Sequence, residues 1–440
     1  MADNRYSTYA AQIQTEFRDS FNMAPVAPTA LRAMAFNLEI QPGGNTFREY
    51  VTPFVRGTVS NLTALRARTT NTNPLTTSLT HGGQITSNVE KIGYLDHTVD
   101  TTFEWARDLE MTAGIDALYN QPSQVAARLR TQFDAAYAQW AHEECLSEAI
   151  YANEWLLAST STISLAAAIV AGATTFKITD ALKASSGLAV GDLVKIGDKR
   201  RPGSDPSSTE IIDVVIVKTL GADGSGGGAL SLITIETDTA KFPASDSMDG
   251  AGQEGLGFTK IKQSLAAHAN GARVQIDRPQ AITPVNVDSI MSKIKTAKLR
   301  ANVYGSDFIC YMTPEVEEVL YGSNASGVQT PMLANEYLGK DILFNGEMSK
   351  YRGMVNMVDS NALSRTESID GNLLATQRHY IWCFVKGQTF GFGEPLKGSG
   401  TVDKIVGTDE KLSKFSFLEV AGARTLYMGS LKGFLLPCTV

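Results

Sequence analysis

The stretch SQVAARLRTQFDAAYAQWAHEECLSEAIYANEWLLA, which opens at Ser123, restricts the possible folds more than any other segment. Val125, Leu129, Phe133, Ala136, Tyr137 and Trp140 recur at helical spacing, while Arg128, Arg130, Asp134 and Glu143 fall on other faces. Pro122 stands where a helix tolerates proline best. At 1.5 Å per residue, about 34 residues would span roughly 50 Å. The average globular helix has only about 11–12 residues. Residues 123–157 are therefore expected to form a spine on which other elements pack, with Leu129, Phe133, Tyr137 and Trp140 as the packing residues.

Directly after the spine the composition changes. Residues 158–248 are rich in Ser, Thr, Gly, Val and Ile and contain no Trp, Tyr, His or Cys. TTFKIT, DLVKIG, EIIDVVIVKTL and LSLITIETD read as strands, joined by KRRPGSDPSS and GADGSGGGA, which are loop compositions. This pattern predicts a small all-β domain inserted into a parent fold.

Ahead of the spine, residues 1–45 carry a short helical pattern from Tyr9 to Phe21 and then an irregular stretch, too apolar-poor for a core of its own. TFREYVTPF reads as a strand and VEKIGYLDHTVDTTFEWA as its return, which makes a long hairpin. Between them, residues 70–88 (TNTNPLTTSLTHGGQITSN) hold no Lys, Arg, Asp or Glu and no aromatic. A loop longer than about 12–15 residues is usually functional or disordered, and disordered linkers usually carry charge. An arm that lies on a neighbouring copy satisfies both observations. ARDLEMTAGIDALYNQ is expected to be a short helix. Beyond the insert, GFTKIKQSLAAHANG resumes the parent and VNVDSIMSKIKTAKLRANVY is an amphipathic helix. DFICYM follows as a buried strand, and TPEVEEVLYG as a helix starting at Thr313. RHYIWCFVKGQTFGFG and FSFLEVAGARTLYMGSLKGFLLP supply closing strands.

Catalytic signals fail on context. Gly250-Ala251-Gly252-Gln253-Glu254-Gly255 matches a dinucleotide fingerprint but follows PASDSMD rather than a buried strand. The glycine run at 221–228 lacks the Lys and Ser/Thr of a phosphate loop. His142 and Cys145 are three apart on the spine, without a second His at zinc-protease spacing. Asp108 and Glu110 read as a solvated pair, and Lys199-Arg200-Arg201 as a solvated loop beside Asp198 and Asp205. No Gly-x-Ser-x-Gly elbow occurs. The expectation is no enzyme, no cofactor and no metal. Cys145, Cys310, Cys383 and Cys438 are scattered without a CxxC, which fits free thiols in a reducing compartment. The N-terminus lacks the apolar core of a signal peptide. No window offers the roughly 20 apolar residues of a bilayer span. A net charge of −7 argues against nucleic-acid binding as the chain's main business.

Arm, hairpin, spine, then α+β: this order resembles the Hong Kong 97-type shell fold of tailed-bacteriophage major capsid proteins, and within it the phage N4-type coat family. FREYVTPF, VEKIGYLDHTVDTTFEWARDLEMTAGID, ICYMTPEVEEVL, and FNGEMSKYRGMVNMVDSNAL followed by HYIWCFVKGQTFGFG carry the resemblance. It implies an N-terminal arm at 1–45, a strand and extended E-loop hairpin at 46–106, and a peripheral domain with the spine at 107–157. The inserted all-β domain follows at 158–248, a return to the peripheral domain at 249–279, an axial domain at 280–375 and C-terminal strands at 376–440. It implies E-loop contacts to neighbouring subunits through Asn71, Asn73, Pro74, Leu75, Leu79, His81 and Ile85. It also implies self-assembly of pentamers and hexamers into an icosahedral shell around double-stranded DNA, in the virion, after assembly in the host bacterial cytoplasm. The implied partners are a scaffolding protein and a portal protein, with no membrane. The insert, which is not a core part of that fold, is expected to project from the shell and brace neighbouring subunits or carry a decoration or cement protein, the alternative being a chain-folding aid with no partner. Residues 69–90 contain no Lys, so the E-loop isopeptide cross-link of some members of the fold is not expected. The other readings are a non-viral nanocompartment shell, a tail or fibre protein with a glycan-binding β domain, and a hydrolase with a β accessory domain.

Overall fold

The structure is a computed structural model describing residues 31–40, 44–51, 93–99, 101–110, 122–152, 154–155, 163–197, 212–222, 230–237, 261–300, 308–321, 350–351, 354–367, 373–404, 412–426 and 433–440. A 3-10 turn at Arg32–Met34 leads into β1 (Phe36–Asn37), β2 (Thr46–Val51), β3 (Gly93–Thr98) and β4 (Thr102–Glu110). The spine α1 (Pro122–Ala152) and β5 (Glu154–Trp155) follow. Next come β6 (Ile163–Ser164), β7 (Thr175–Thr179), α2 (Asp180–Ser186), β8 (Leu193–Ile196), β9 (Asp213–Ala222), β10 (Leu230–Ile235) and β11 (Arg273–Ile276). The chain continues through β12 (Gln280–Ala281), α3 (Val287–Arg300), β13 (Phe308–Met312), α4 (Pro314–Tyr321), β14 (Lys350–Tyr351), β15 (Met354–Val358) and β16 (Ser364–Glu367). Three long strands and a short one close it: β17 (Leu373–Val385), β18 (Phe390–Lys404), β19 (Leu412–Thr425) and β20 (Phe434–Thr439). The architecture is α+β.

An eight-stranded mixed sheet, β12-β20-β17-β13-β15-β14 with β16 on β17 and β5 on β20, lies at the centre. Both of its faces are covered, and the alternation of side chains shows how. Phe308, Cys310, Met312, Ile381, Cys383, Val385 and Leu436 join Val287, Ile290, Met291 and Ile294 of α3 and Val316 of α4 in one core. Ile309, Tyr311, Tyr380, Trp382, Phe384 and Leu435 join Ala141, Cys145, Leu146 and Ala149 of α1 in another. Successive strand residues point to opposite faces, so a doubly covered sheet needs apolar residues at every position. FICYM meets that requirement, with all five residues buried.

A six-stranded antiparallel sheet, β6-β11-β8-β9-β10-β7, forms the β unit with its own core of Ile178, Ile196, Val215, Val217, Ile233, Ile235, Val274 and Ile276. Its opposite face sends Leu193, Val214 and Ile216 into the α1 core. The sheet extends past residue 248: β11, expected in the parent, pairs with both β6 and β8. Helix α2 inside this unit was not foreseen. Thr179 caps it by accepting from the Leu182 N–H at 3.3 Å, and Gly187 ends it in the left-handed region at φ +62°. The unit leaves the central sheet at β5 and returns at β12. Trp155 pairs with Leu435 and Gln280 with Cys438, so both ends lie parallel to the same strand, β20.

A four-stranded sheet, β1-β18-β19-β4, packs on the spine. Two expectations are corrected here. The return strand is two strands, β3 pairing with β2 and β4 pairing with β19. ARDLE, expected to open a helix, is the end of β4, because Ala106 to Glu110 pair in register with Ser416 to Leu412. Pairing with a long strand overrides helix propensity. The spine ends at Ala152, and Glu154-Trp155 is strand rather than helix.

Candidate assembly surfaces and the junctions behind them

The end of the N-terminal segment is clamped to the spine. β1 runs parallel to β18, and the Leu38 N–H donates to the Phe392 carbonyl at 3.0 Å. The glycines of GFG make this approach possible. A Cβ on Gly391 would stand 2.5 Å from Leu38 Cδ2 and 3.0 Å from the Phe36 carbonyl oxygen, and one on Gly393 2.8 Å from Ile40 Cδ1. Arg32 pairs with Glu394 and stacks over the rings of Tyr137 and Phe392, at 5.5 and 5.2 Å from their centroids. The Tyr137 hydroxyl donates to the same Glu394 at 2.8 Å. Burial, and next the charge of Glu419, push the Tyr137 phenol up, so it stays a donor.

Of the expected spine residues, Phe133 and Tyr137 are fully buried and Trp140 partly so. Phe103 of β4 meets Phe133, Tyr137 and Trp140 at centroid distances of 5.9, 5.5 and 5.1 Å. Trp105 meets Phe133 edge-on at 5.9 Å. Leu129 is helical, and its side chain lies outside the described residues. A contact that periodicity does not reveal lies further along: buried Glu148 accepts from both the N–H and the hydroxyl of Thr425, each at 2.7 Å.

β2 and β3 form a two-stranded sheet, paired from Thr46↔Thr98 to Val51↔Gly93. Arg48 forks onto Asp96 at 2.8 and 3.0 Å, and His97 meets Glu49 at 2.8 Å. The Arg48 hydrogen bond holds the Asp96 carboxyl below its usual range. Among the described residues, Phe47 ties this stem to a core, packing beside Leu38, Val99 and Leu426, and Arg424 Nε donates to the Thr98 carbonyl at 2.7 Å. Residues 52–92, with Asn71, Asn73, Pro74, Leu75, Leu79, His81 and Ile85, lie outside the described residues. So do Lys199-Arg200-Arg201 and 250–255.

The β unit is joined to the central sheet by buried charge. Arg378 donates to Asp192 at 2.7 Å and Asp277 at 3.0 Å. The Tyr380 hydroxyl donates to Asp277 at 2.7 Å, and Arg365 to the Gly191 carbonyl at 2.9 Å. Asp277 also accepts the Leu193 N–H at 2.7 Å. Burial, then Asp277, push the Asp192 carboxyl up, and Arg378 opposes the shift. These partners are more than 80 residues apart in sequence, so no local pattern could have found them.

Several further polar groups among the described residues are engaged in structure. His142 bonds the Asn361 carbonyl at 3.0 Å, and Cys145 sits in the α1 core. Asp213 binds His268 at 2.8 Å, Lys262 at 2.6 Å and the Ala266 N–H at 2.6 Å. Burial works against its charge, yet these donors hold its pKa at about 2. His379 meets Thr313, just before α4, at 2.8 Å, and burial lowers its pKa against the pull of Glu315. Among the described residues, no group of three His, Cys, Asp or Glu could hold a metal ion, and no helix is long and apolar enough to cross a membrane.

No protein-family model and no curated protein sequence matches the chain. Among solved structures, it is similar to a chain of Mycobacterium phage Che8, at 8% identity and a TM-score of 0.45, covering 94% of this chain and 92% of that one. It is similar to a chain in the capsid structure of the cyanophage P-SCSP1u, at 10% identity and a TM-score of 0.45, covering 94% and 89%. A third likeness is to the asymmetric unit of the bacteriophage PhiM1 mature capsid, at 10% identity and a TM-score of 0.45, covering 94% and 88%.

Proposed function

We propose that this chain is a major capsid protein of a tailed bacteriophage, with the Hong Kong 97-type shell fold, which assembles without covalent links into the icosahedral head around double-stranded DNA. The observation that carries this reading is the β2–β3 stem. An isolated two-stranded hairpin is marginal in water. Among the described residues its strands pair only with each other, and it is held to the rest of the chain through Phe47 and the Thr98 carbonyl that Arg424 reaches. Its far end leads into the uncharged stretch 70–88. A hairpin of this kind gains its stability from a surface outside its own subunit. Thr and Asn supply β propensity and hydrogen bonds there without fixed charge, so the same arm fits several quasi-equivalent neighbours.

The other parts follow from that arrangement. Residues 1–45, whose described end is clamped across GFG and the spine, serve as the N-terminal arm. Asn71, Asn73, Pro74, Leu75, Leu79, His81 and Ile85 make the E-loop contacts. Many weak contacts of this kind give a closed shell by multivalency. The β unit, fixed to its own subunit through Arg378, braces a neighbour or seats a cement protein. Scaffolding and portal proteins complete assembly. The net charge of −7 suits a container whose wall must not bind its DNA. The protein acts as structure, with no catalytic step.

Negative-stain electron microscopy and sedimentation of the protein, alone and with a scaffold candidate, test this. Closed shells, tubes or five- and six-membered rings are expected, and deletion of residues 69–88 should abolish them while leaving a folded subunit. A monodisperse monomer or dimer under both conditions would overturn it.

A further inference from the structure

Four cysteines lie in this chain, all free and all buried. Two of them face each other. Cys310 of β13 is the register partner of Cys383 of β17 in the antiparallel pair, and their sulfur atoms are 3.4 Å apart. Directly opposed residues of an antiparallel pair have Cα atoms about 4.5–5.5 Å apart, inside the range of about 4.4–6.8 Å that a disulfide requires. The backbone therefore already stands where a bridge would place it.

The local hydrogen bonds order the pair. Cys310 Sγ donates to Met354 Sδ at 3.8 Å, which leaves Cys383 as the donor to Cys310. Burial pushes the Cys383 thiol well up, so it keeps its proton. Lys298 lies beside them, its ammonium 5.2 Å from the Phe308 ring centroid. Burial lowers the Lys298 pKa, and Cys310 nearby opposes that shift. Cys310, with Met354 on one side and Cys383 on the other, is assigned as the sulfur oxidised first and Cys383 as the resolving thiol.

We propose that Cys310 and Cys383 are a peroxide-oxidisable dithiol that closes into a cross-strand disulfide between β13 and β17. The Cys310 thiolate attacks one oxygen of hydrogen peroxide; the O–O bond breaks, giving a sulfenic acid and hydroxide, which takes up the proton lost by Cys310. The Cys383 sulfur then attacks the Cys310 sulfur, the S–O bond breaks, and water leaves with the Cys383 proton. Two thiols and one peroxide become one disulfide and two waters. Both cysteines are fully buried, so the oxidant proposed is one as small as hydrogen peroxide. The bridge joins residues 73 positions apart, and so restrains the unfolded chain after the fold is complete. A chain made in a reducing cell and released into an oxidising medium would be stapled only then.

The test is peroxide treatment of the folded full-length protein, a catalase quench, alkylation in denaturant and non-reducing peptide mapping. The expected result is loss of two of the four thiols, an intact mass lower by two hydrogens, and a linked peptide pair holding Cys310 and Cys383. In Cys383→Ala, Cys310 should gain oxygen with no link; in Cys310→Ala, Cys383 should stay a free thiol. Four alkylated thiols after a dose that oxidises the urea-unfolded protein would overturn the proposal. So would a link through Cys145 or Cys438. If either variant fails to fold, the wild-type peptide map decides alone.

Discussion

Arg378 of β17 reaches across the junction to Asp192, at the edge of the β unit, at 2.7 Å, with the side chains 13% and 3% exposed. The β unit is thus bound to the central sheet by a buried ion pair and not only by its two connecting strands. Replacing Arg378 by Ala leaves Asp192 and Asp277 without their main cation. Removing one partner of a buried pair costs about 3–5 kcal/mol. Urea denaturation should show that loss, and Arg378→Lys should recover only part of it, since a single ammonium nitrogen lacks the planar fork that reaches Asp277 through Nη1 and Asp192 through Nη2.

Phe133→Ala should cost about 3–5 kcal/mol by the same measurement. Phe133 is fully buried and touches Phe103, Trp105 and Tyr137. The change empties the seam between spine and sheet.

Gly391→Val should displace the clamped segment rather than unfold the sheet. The new Cβ meets Leu38 and the Phe36 carbonyl, and overpacking of this kind costs about 1–3 kcal/mol. Limited proteolysis should cut faster between Arg32 and Ile40, with far-ultraviolet circular dichroism unchanged. Shell formation should fall with it.

Asp213 predicts an acid dependence with a definite sign. Its folded pKa of about 2 lies below the ordinary 3.8, so the ionised form stabilises the fold. That contribution, about 2 kcal/mol at 1.36 kcal/mol per unit, is complete above pH 3.8 and is lost as pH falls through about 2. The gap in urea midpoint between wild type and Asp213→Asn should close over that window.

His379 gives a second dependence, at higher pH. Its folded pKa lies below 6.5, so the unfolded chain takes up the proton first and stability falls as pH drops below 6.5. His379→Gln, titrated by thermal denaturation from pH 8 to 5, should flatten that part of the curve.

What the sequence reveals here follows the range of the interactions. The spine, DFICYM and TPEVEEVLYG announce themselves because periodicity, continuous burial and a Thr-Pro helix start are written within a few residues. ARDLE misleads because its partner, Ser416 to Leu412, lies some 300 positions away and outweighs local propensity. β11 goes unread because RVQI is only four residues long and takes its strand character from β6 and β8 on either side. Of the expected spine contacts, Phe133 and Tyr137 face the four-stranded sheet as helical spacing requires. The junction of Asp192, Asp277, Arg365 and Arg378 left no local trace, since isolated charged residues look alike until a fold gathers them.

Trp155 and Gln280 rest three residues apart on β20, beside Leu435 and Cys438, hence roughly 10 Å from each other at about 3.3 Å per strand residue. The β unit therefore hangs from the central sheet as from a two-pin socket. Any folded module whose ends come that close could be plugged in there without lengthening or twisting the strands around it. That makes the boundary between β5 and β12 the natural graft point for a foreign domain. A module lacking the Asp192–Arg378 latch would swing on its pins, whereas one that keeps an acidic pair facing Arg378 would be held still.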